Sequence, residues 1–130
     1  MDIKVGQMAS AKKTFDKEMV LAFAQLTGDF NPVHFDEEYA RNTIFKKPIV
    51  HGPLVITMVT TLFANELPGP GSVYLGHDVK YFHPVYLNET ITATLEVIEI
   101  NEKQHVFIKT TCTNEEGKVI LDGIARLKKY

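Results

Sequence analysis

Between Pro53 and Leu67 the chain reads PLVITMVTTLFANEL, and nearly every turn of that segment carries apolar residues on more than one side. Leu54, Val55, Met58, Val59, Leu62 and Phe63 cover too wide an arc for a half-exposed surface helix, so the segment is expected to be a helix buried on most sides. Pro53 suits its first turn, where the missing N–H has no intrahelical partner to lose. The sequence around Pro68, Gly69, Pro70 and Gly71 closes it. The rest of the chain must therefore supply a cover for one long apolar helix.

That cover is written in the second half, where the hydrophobic period falls to two. Ile91, Ala93, Leu95 and Val97 alternate with Thr90, Thr92, Thr94 and Glu96, and Val119, Leu121, Ala125 and Leu127 alternate similarly. Such alternation marks strands with one buried face. The expected strands are 72–83, 89–101, 104–114 and 118–129, forming a four-strand meander with short polar connections at NEK and NEEGK. A further N-terminal strand is expected over 9–15. Asp16 then caps a helix in KEMVLAFAQLTG, with Met19, Val20, Phe23 and Leu26 on one face and Gly28 ending it. A short second helix is expected in DEEYARNT, whose acids Asp36, Glu37 and Glu38 favour a helix N-terminus. The fold class is α+β, an antiparallel sheet around a helix, in a single domain spanning 1–130.

Composition narrows the partners. The formal charge is −2, from 14 basic and 16 acidic residues, with no basic stripe, which argues against nucleic acid. The apolar run around 48–64 is interrupted by His51, Gly52, Pro53 and threonines and makes a poor membrane span. The N-terminal stretch lacks an apolar signal core. Cys112 is the lone cysteine and sits in an alternating run, so it reads as a packed residue in a reducing, cytoplasmic protein rather than a nucleophile.

The chemistry concentrates in GDFNPVH, residues 28–34. On a continuous helix Asp29 and His34, five residues apart at about 100° each, would face different ways. Gly28 and Pro32 turn the chain so that both can aim at one point. Pro32 also holds Asn31 extended, and the Asn31 amide is suited to fixing the turn by a bond to the backbone.

The run FAQLTGDFNPVHFDEEYA, then PIVHG opening the long helix, then GSVYLGHDVKYFHPV, resembles the MaoC-like family of (R)-specific enoyl-CoA hydratases from about Phe15 onward. The G-D-x-N-P-x-H motif with the following His-Gly pair is its most specific part. The resemblance implies a hot dog fold, with a curled antiparallel sheet around the long helix. It also implies a homodimer with the acyl-thioester site near the subunit interface, and an acyl-CoA substrate, or an acyl carrier protein thioester. It implies Asp29 and His34 as the catalytic pair and Gly52 as the backbone donor to the thioester oxygen. Asn31 and His51 are the candidate substrate-binding residues, with a turn-fixing part for Asn31 and a supporting or packing part for His51. No metal and no redox cofactor are expected. Pro53 departs from the family, where a larger apolar residue often follows the His-Gly pair, and this bears on the shape of the acyl pocket.

Adding water to a 2-enoyl thioester places negative charge on the carbonyl oxygen in the transition state. A helix-start N–H such as that of Gly52 is well matched to it. Two further functions are compatible with the fold: a hot dog thioesterase, which leaves His34 without a part, and a non-catalytic acyl-thioester binding module. His77, His83 and His105 lack metal-ligand spacing and read as surface or packing residues. The GPGS at 69–72 is expected to be a turn, because a strand and not a helix follows it. Lys46 and Lys47 are either solvated or placed to meet coenzyme A phosphates.

Overall fold

A computed structural model describes residues 2–130. Its elements in chain order are β1 (Met8–Thr14), α1 (Lys17–Thr27), a single 3₁₀ turn (Pro32–His34), α2 (Glu37–Arg41), α3 (Gly52–Asn65), β2 (Ser72–Tyr81), β3 (Thr90–Ile100), β4 (His105–Thr113) and β5 (Val119–Lys129). The five strands form one antiparallel sheet in the order β1-β3-β4-β5-β2. Helix α3 packs on β1 and β3 near one edge of that order and also on β2 at the other edge. One helix reaches both edges only if the sheet curls around it, which is the hot dog arrangement.

The alternation in β3 does what the sequence implied. Ile91, Ala93, Leu95 and Val97 are all fully buried against the helix, and each large aliphatic side chain so buried is worth about 1.5–3 kcal/mol. From α3, Leu54, Val55, Met58, Val59, Leu62 and Phe63 enter the same core. The expected caps are also present. Asp16 accepts the Met19 N–H at 2.9 Å, and Gly28 sits in the left-handed region at φ 85°. Asp36 accepts the Tyr39 N–H at the start of α2. Cys112 is buried in β4, and that burial pushes its thiol up to about 12.

Four local expectations need correction. Strand β2 does not lie beside β3. It crosses the sheet to pair with β5, so the meander has three strands, β3-β4-β5, and β2 forms an edge. The long link from Tyr81 to Thr90 permits this, whereas the short NEK and NEEGK turns do not. Leu26 is 84% exposed, because α1 buries the Val20–Ala24 stripe and Leu26 lies about 200° around the helix from Ala24. In β5, Val119 is exposed while Ile120 and Leu121 are both buried. A register irregularity against β4 at Cys112/Thr113 resets the alternation there. Finally, α3 ends at Asn65 and leaves Thr61 and Ala64 exposed, so its far side is open in the single chain.

Candidate functional site

The turn that follows α1 is built by its own side chains. Asn31 is held extended (φ −53°, ψ 125°) before Pro32, and its Oδ1 accepts the Val33 N–H at 3.2 Å. Asp29 accepts the Asn31 N–H at 3.3 Å. The segment entering α3 runs alongside and is tied on both flanks. The Ile49 N–H donates to the Val33 carbonyl at 3.2 Å, and the Val50 N–H to the Val85 carbonyl at 2.8 Å. Two turns distant in sequence are thereby fastened together, and they bring His34, His51 and Asp29 to one place. Donor atoms of the three lie within 4.8 Å of one another.

The hydrogen bonds fix the tautomers. His34 Nδ1 lies 2.7 Å from the Ile49 carbonyl, which accepts only, so Nδ1 carries the proton and donates. Nε2 of a neutral His34 is then a free acceptor. Among the described residues it has no hydrogen-bond partner and is not a buried unpaired atom, so it opens to solvent although the residue is only 8% exposed. Burial lowers the His34 pKa, and the neighbouring His51 lowers it further; the Ile49 hydrogen bond and the Asp29 charge pull the other way. His51, fully buried, donates from Nε2 to the Asp29 carbonyl at 3.0 Å. Its Nδ1 is left buried without a partner. The two imidazoles stack at 3.8 Å between centroids and 31° between planes, and Phe23 and Phe35 pack on His51.

Asp29, His34 and His51 would be the residues to hold a metal ion if one bound. Of the imidazole nitrogens, however, His34 Nδ1 and His51 Nε2 are already committed to backbone carbonyls, and His51 Nδ1 is buried. The arrangement instead presents one carboxylate and one free imidazole nitrogen, both acceptors, at the mouth of a turn.

Gly52 opens α3 immediately after His51. As the first helical residue its N–H has no intrahelical acceptor, and among the described residues no other acceptor takes it. An apolar cavity of about 230 Å³ adjoins it, lined by Phe45, Ile49, Val50, Gly52, Val55, Tyr81, Pro84, Val85 and Ile120. A larger hollow of about 380 Å³ lies elsewhere, bounded by residues of β2, β4 and β5 such as Asp78, Lys109 and Asp122, and includes none of the site residues. Pro53 is exposed and does not line the cavity.

Sequence reasoning missed Tyr81. Its hydroxyl donates to the Gly52 carbonyl at 2.9 Å, and a Cβ on Gly52 would stand 3.2 Å from the Tyr81 Cε1. Gly52 is thus constrained by a tyrosine ring as well as by any ligand. No local signal links the two, since they lie 29 residues apart and meet only because β2 takes the far edge of the sheet. Lys46 and Lys47 are exposed and border a separate cavity. His83 is exposed, and His105 is bonded to Arg126 at 2.8 Å.

A curled sheet around a buried helix, with an Asp–His turn beside the helix start, defines a recognisable class. Residues 2–119 match the family described as MaoC like domain, and the chain belongs to that family. It is 42% identical to the (R)-specific enoyl-CoA hydratase of Rhodospirillum rubrum over 95% of this chain and 86% of that one. It is 40% identical to the (R)-specific enoyl-CoA hydratase of Aeromonas caviae over 97% and 95%. Among solved structures, an (R)-hydratase from A. caviae involved in PHA biosynthesis superposes with a TM-score of 0.94. The identity is 36%, and 99% of this chain and 98% of that one are covered.

Proposed function

We propose that this protein is an (R)-specific enoyl-CoA hydratase, a hydro-lyase that adds water reversibly and on one face to trans-2-enoyl-CoA, giving (R)-3-hydroxyacyl-CoA. The observation that carries the reading is the free Nε2 of His34 beside Asp29, in a chain 40–42% identical to two hydratases across nearly its full length.

The roles follow from the tautomers. A water molecule donating one hydrogen bond to the Asp29 carboxylate and one to His34 Nε2 has its oxygen lone pair left to attack the third carbon. One proton passes to the pair as the C–O bond forms. A proton returns from the pair to the second carbon, so the elements of one water molecule are added. Positioned acid–base groups of this kind are worth about 10²–10⁴-fold. The unpaired Gly52 N–H, at the positive end of α3, receives the charge developing on the thioester oxygen. The apolar cavity beyond it takes the acyl chain. Asn31 and His51 act behind this set: Asn31 holds the turn, and His51 holds the Asp29 backbone.

Hydration of crotonyl-CoA checks the reading: enone absorbance should fall with no free thiol released. Thiol release would instead mean a thioesterase, and no change would mean a binding module.

A homodimer paired through β2 completes the proposal. Strand β2 spans ten residues at the sheet edge, and Val73, Tyr74 and Leu75 on it are 44–48% exposed. A dimeric mass in solution is the expected result, and a fully active monomer would contradict it. The lone buried thiol supports a cytoplasmic location, and no helix among the described residues is long and apolar enough to cross a membrane.

A further inference from the structure

A second cavity, of about 410 Å³, lies between α2 and the segment that enters α3, bounded by Glu37, Arg41, Lys46, Lys47, Pro48, Tyr86 and Leu87. Three cations face one carboxylate there, on a chain whose net charge is −2. None of the three is neutralised: the only ion pair among the described residues joins Lys118 and Glu116. One of the three side chains and the backbone of a second are held. Lys47 Nζ sits 4.8 Å over the Tyr86 ring, and Lys46 holds a left-handed φ of 69°, which few residues other than glycine adopt.

This cavity shares a wall with the apolar one. Phe45 and Ile49 line the acyl side, and Lys46, Lys47 and Pro48 line the basic side. The Tyr86 hydroxyl ties the two by donating to the Phe45 carbonyl at 2.7 Å. A phosphopantetheine thioester has the matching layout, with a reactive acyl end, a neutral arm and a phosphate end. We infer that Arg41, Lys46 and Lys47 bind the phosphate end of the thioester substrate. The inference rests on the hydratase reading for the identity of the ligand, while the cationic cavity stands by itself. The phosphate could come from coenzyme A or from the prosthetic group of an acyl carrier protein, and both present a phosphorylated pantetheine.

The test compares the wild type with Arg41→Gln, Lys46→Gly and Lys47→Gln, singly and combined. Lys46→Gly removes the charge while suiting the left-handed backbone, so loss of fold does not cloud the result. Each charge removed should raise KM for crotonyl-CoA about two- to fivefold, the scale of an exposed ion pair, leaving kcat unchanged. KM for crotonyl-pantetheine, which has no phosphate, should not move. Crotonyl-CoA KM should rise with salt in the wild type and less so in the triple variant. A larger variant effect on a crotonyl-carrier-protein substrate than on crotonyl-CoA would identify the carrier protein as the source. Equal KM values for crotonyl-CoA and crotonyl-pantetheine in the wild type would overturn the inference and leave the hydratase reading intact. Calorimetric binding of free coenzyme A separates the opposite case. If binding weakens in the triple variant of a protein that hydrates neither substrate, the phosphate site stands and the hydratase reading falls.

Discussion

Two histidine clusters in this chain share a pKa lowered by burial and differ in what their nitrogens do. His77, on β2, is half-buried under Phe63, and burial lowers its pKa, as it does for His34. Yet both of its ring nitrogens are committed, one to the Tyr74 hydroxyl and one to Thr110 Oγ1 at 2.8 Å. Thr110 is itself fully buried, between α3 and the sheet. His34 commits one nitrogen to the Ile49 carbonyl and leaves the other open beside a carboxylate. A depressed pKa is therefore a poor marker of chemistry in this fold. The unspent nitrogen is the better one.

The largest effects should fall on the first cluster. Asp29→Asn and His34→Ala should each lower hydration of crotonyl-CoA by at least about a hundredfold, measured by loss of enone absorbance. Stability should separate the two. Asp29 is partly exposed and its change should leave thermal unfolding nearly unmoved. His34 is buried, stacked on His51 and bonded to Ile49. His34→Ala leaves a carbonyl unpaired and should cost about 1–3 kcal/mol. Near-normal turnover in either variant would remove that residue from the mechanism.

Gly52 and Tyr81 come next. Gly52→Ala forces its Cβ against the Tyr81 ring, so lost activity alone does not distinguish a crowded substrate from a displaced tyrosine. Combining Gly52→Ala with Tyr81→Leu relieves that contact. If Gly52 serves the substrate's approach, the double variant should stay at least about tenfold slower than Tyr81→Leu alone, a sizeable part of what an oxyanion donor is worth. Full recovery would make Tyr81 the reason for the glycine.

The pH dependence follows from the direction of the His34 shift. In the proposed mechanism activity needs the neutral ring, and burial holds the pKa below the ordinary 6.5. Hydration should accordingly persist below pH 6.5 and fall only as the pH drops through the lowered value. Folding favours the same neutral form, so between the lowered value and 6.5 the unfolded chain binds more protons. In that window stability rises with pH, and above it His34 contributes no slope. An activity midpoint above 6.5 would contradict this. The smallest effect belongs to His77→Gln, which should leave turnover within about twofold and cost about 1 kcal/mol by unpairing Thr110 or Tyr74.

How much of this was legible in the sequence depended on distance along the chain. The caps at Asp16 and Asp36, the left-handed Gly28 and the Asn31–Pro32 turn are local, and each could be read from its neighbours. The inward row of β3 was equally plain, because its period is uninterrupted through Val97. The placement of β2 was not, since strand order depends on a link long enough to permit either neighbour. With β2 went Tyr81, whose contact with Gly52 exists only because β2 crosses to β5. The pairing of Asp29 with His34 was anticipated, but the choice of tautomer was not. It is set by the Ile49 carbonyl, 15 residues away, and by hydrogen bonds that no motif encodes. Leu26 was misplaced for a simpler reason: α1 buries a narrow stripe, and a wide apolar face was expected.

The central claim is that one water is held by Asp29 and His34 Nε2 opposite a carbonyl received by Gly52. A crystal structure with an unreactive saturated acyl-CoA tests it most directly. The thioester oxygen should lie about 2.7–3.1 Å from the Gly52 nitrogen, the range of a working oxyanion donor. A single water should bridge Asp29 and His34 toward the third carbon. A carbonyl turned away from Gly52, or an acyl chain lodged outside the cavity between Phe45 and Tyr81, would contradict the account.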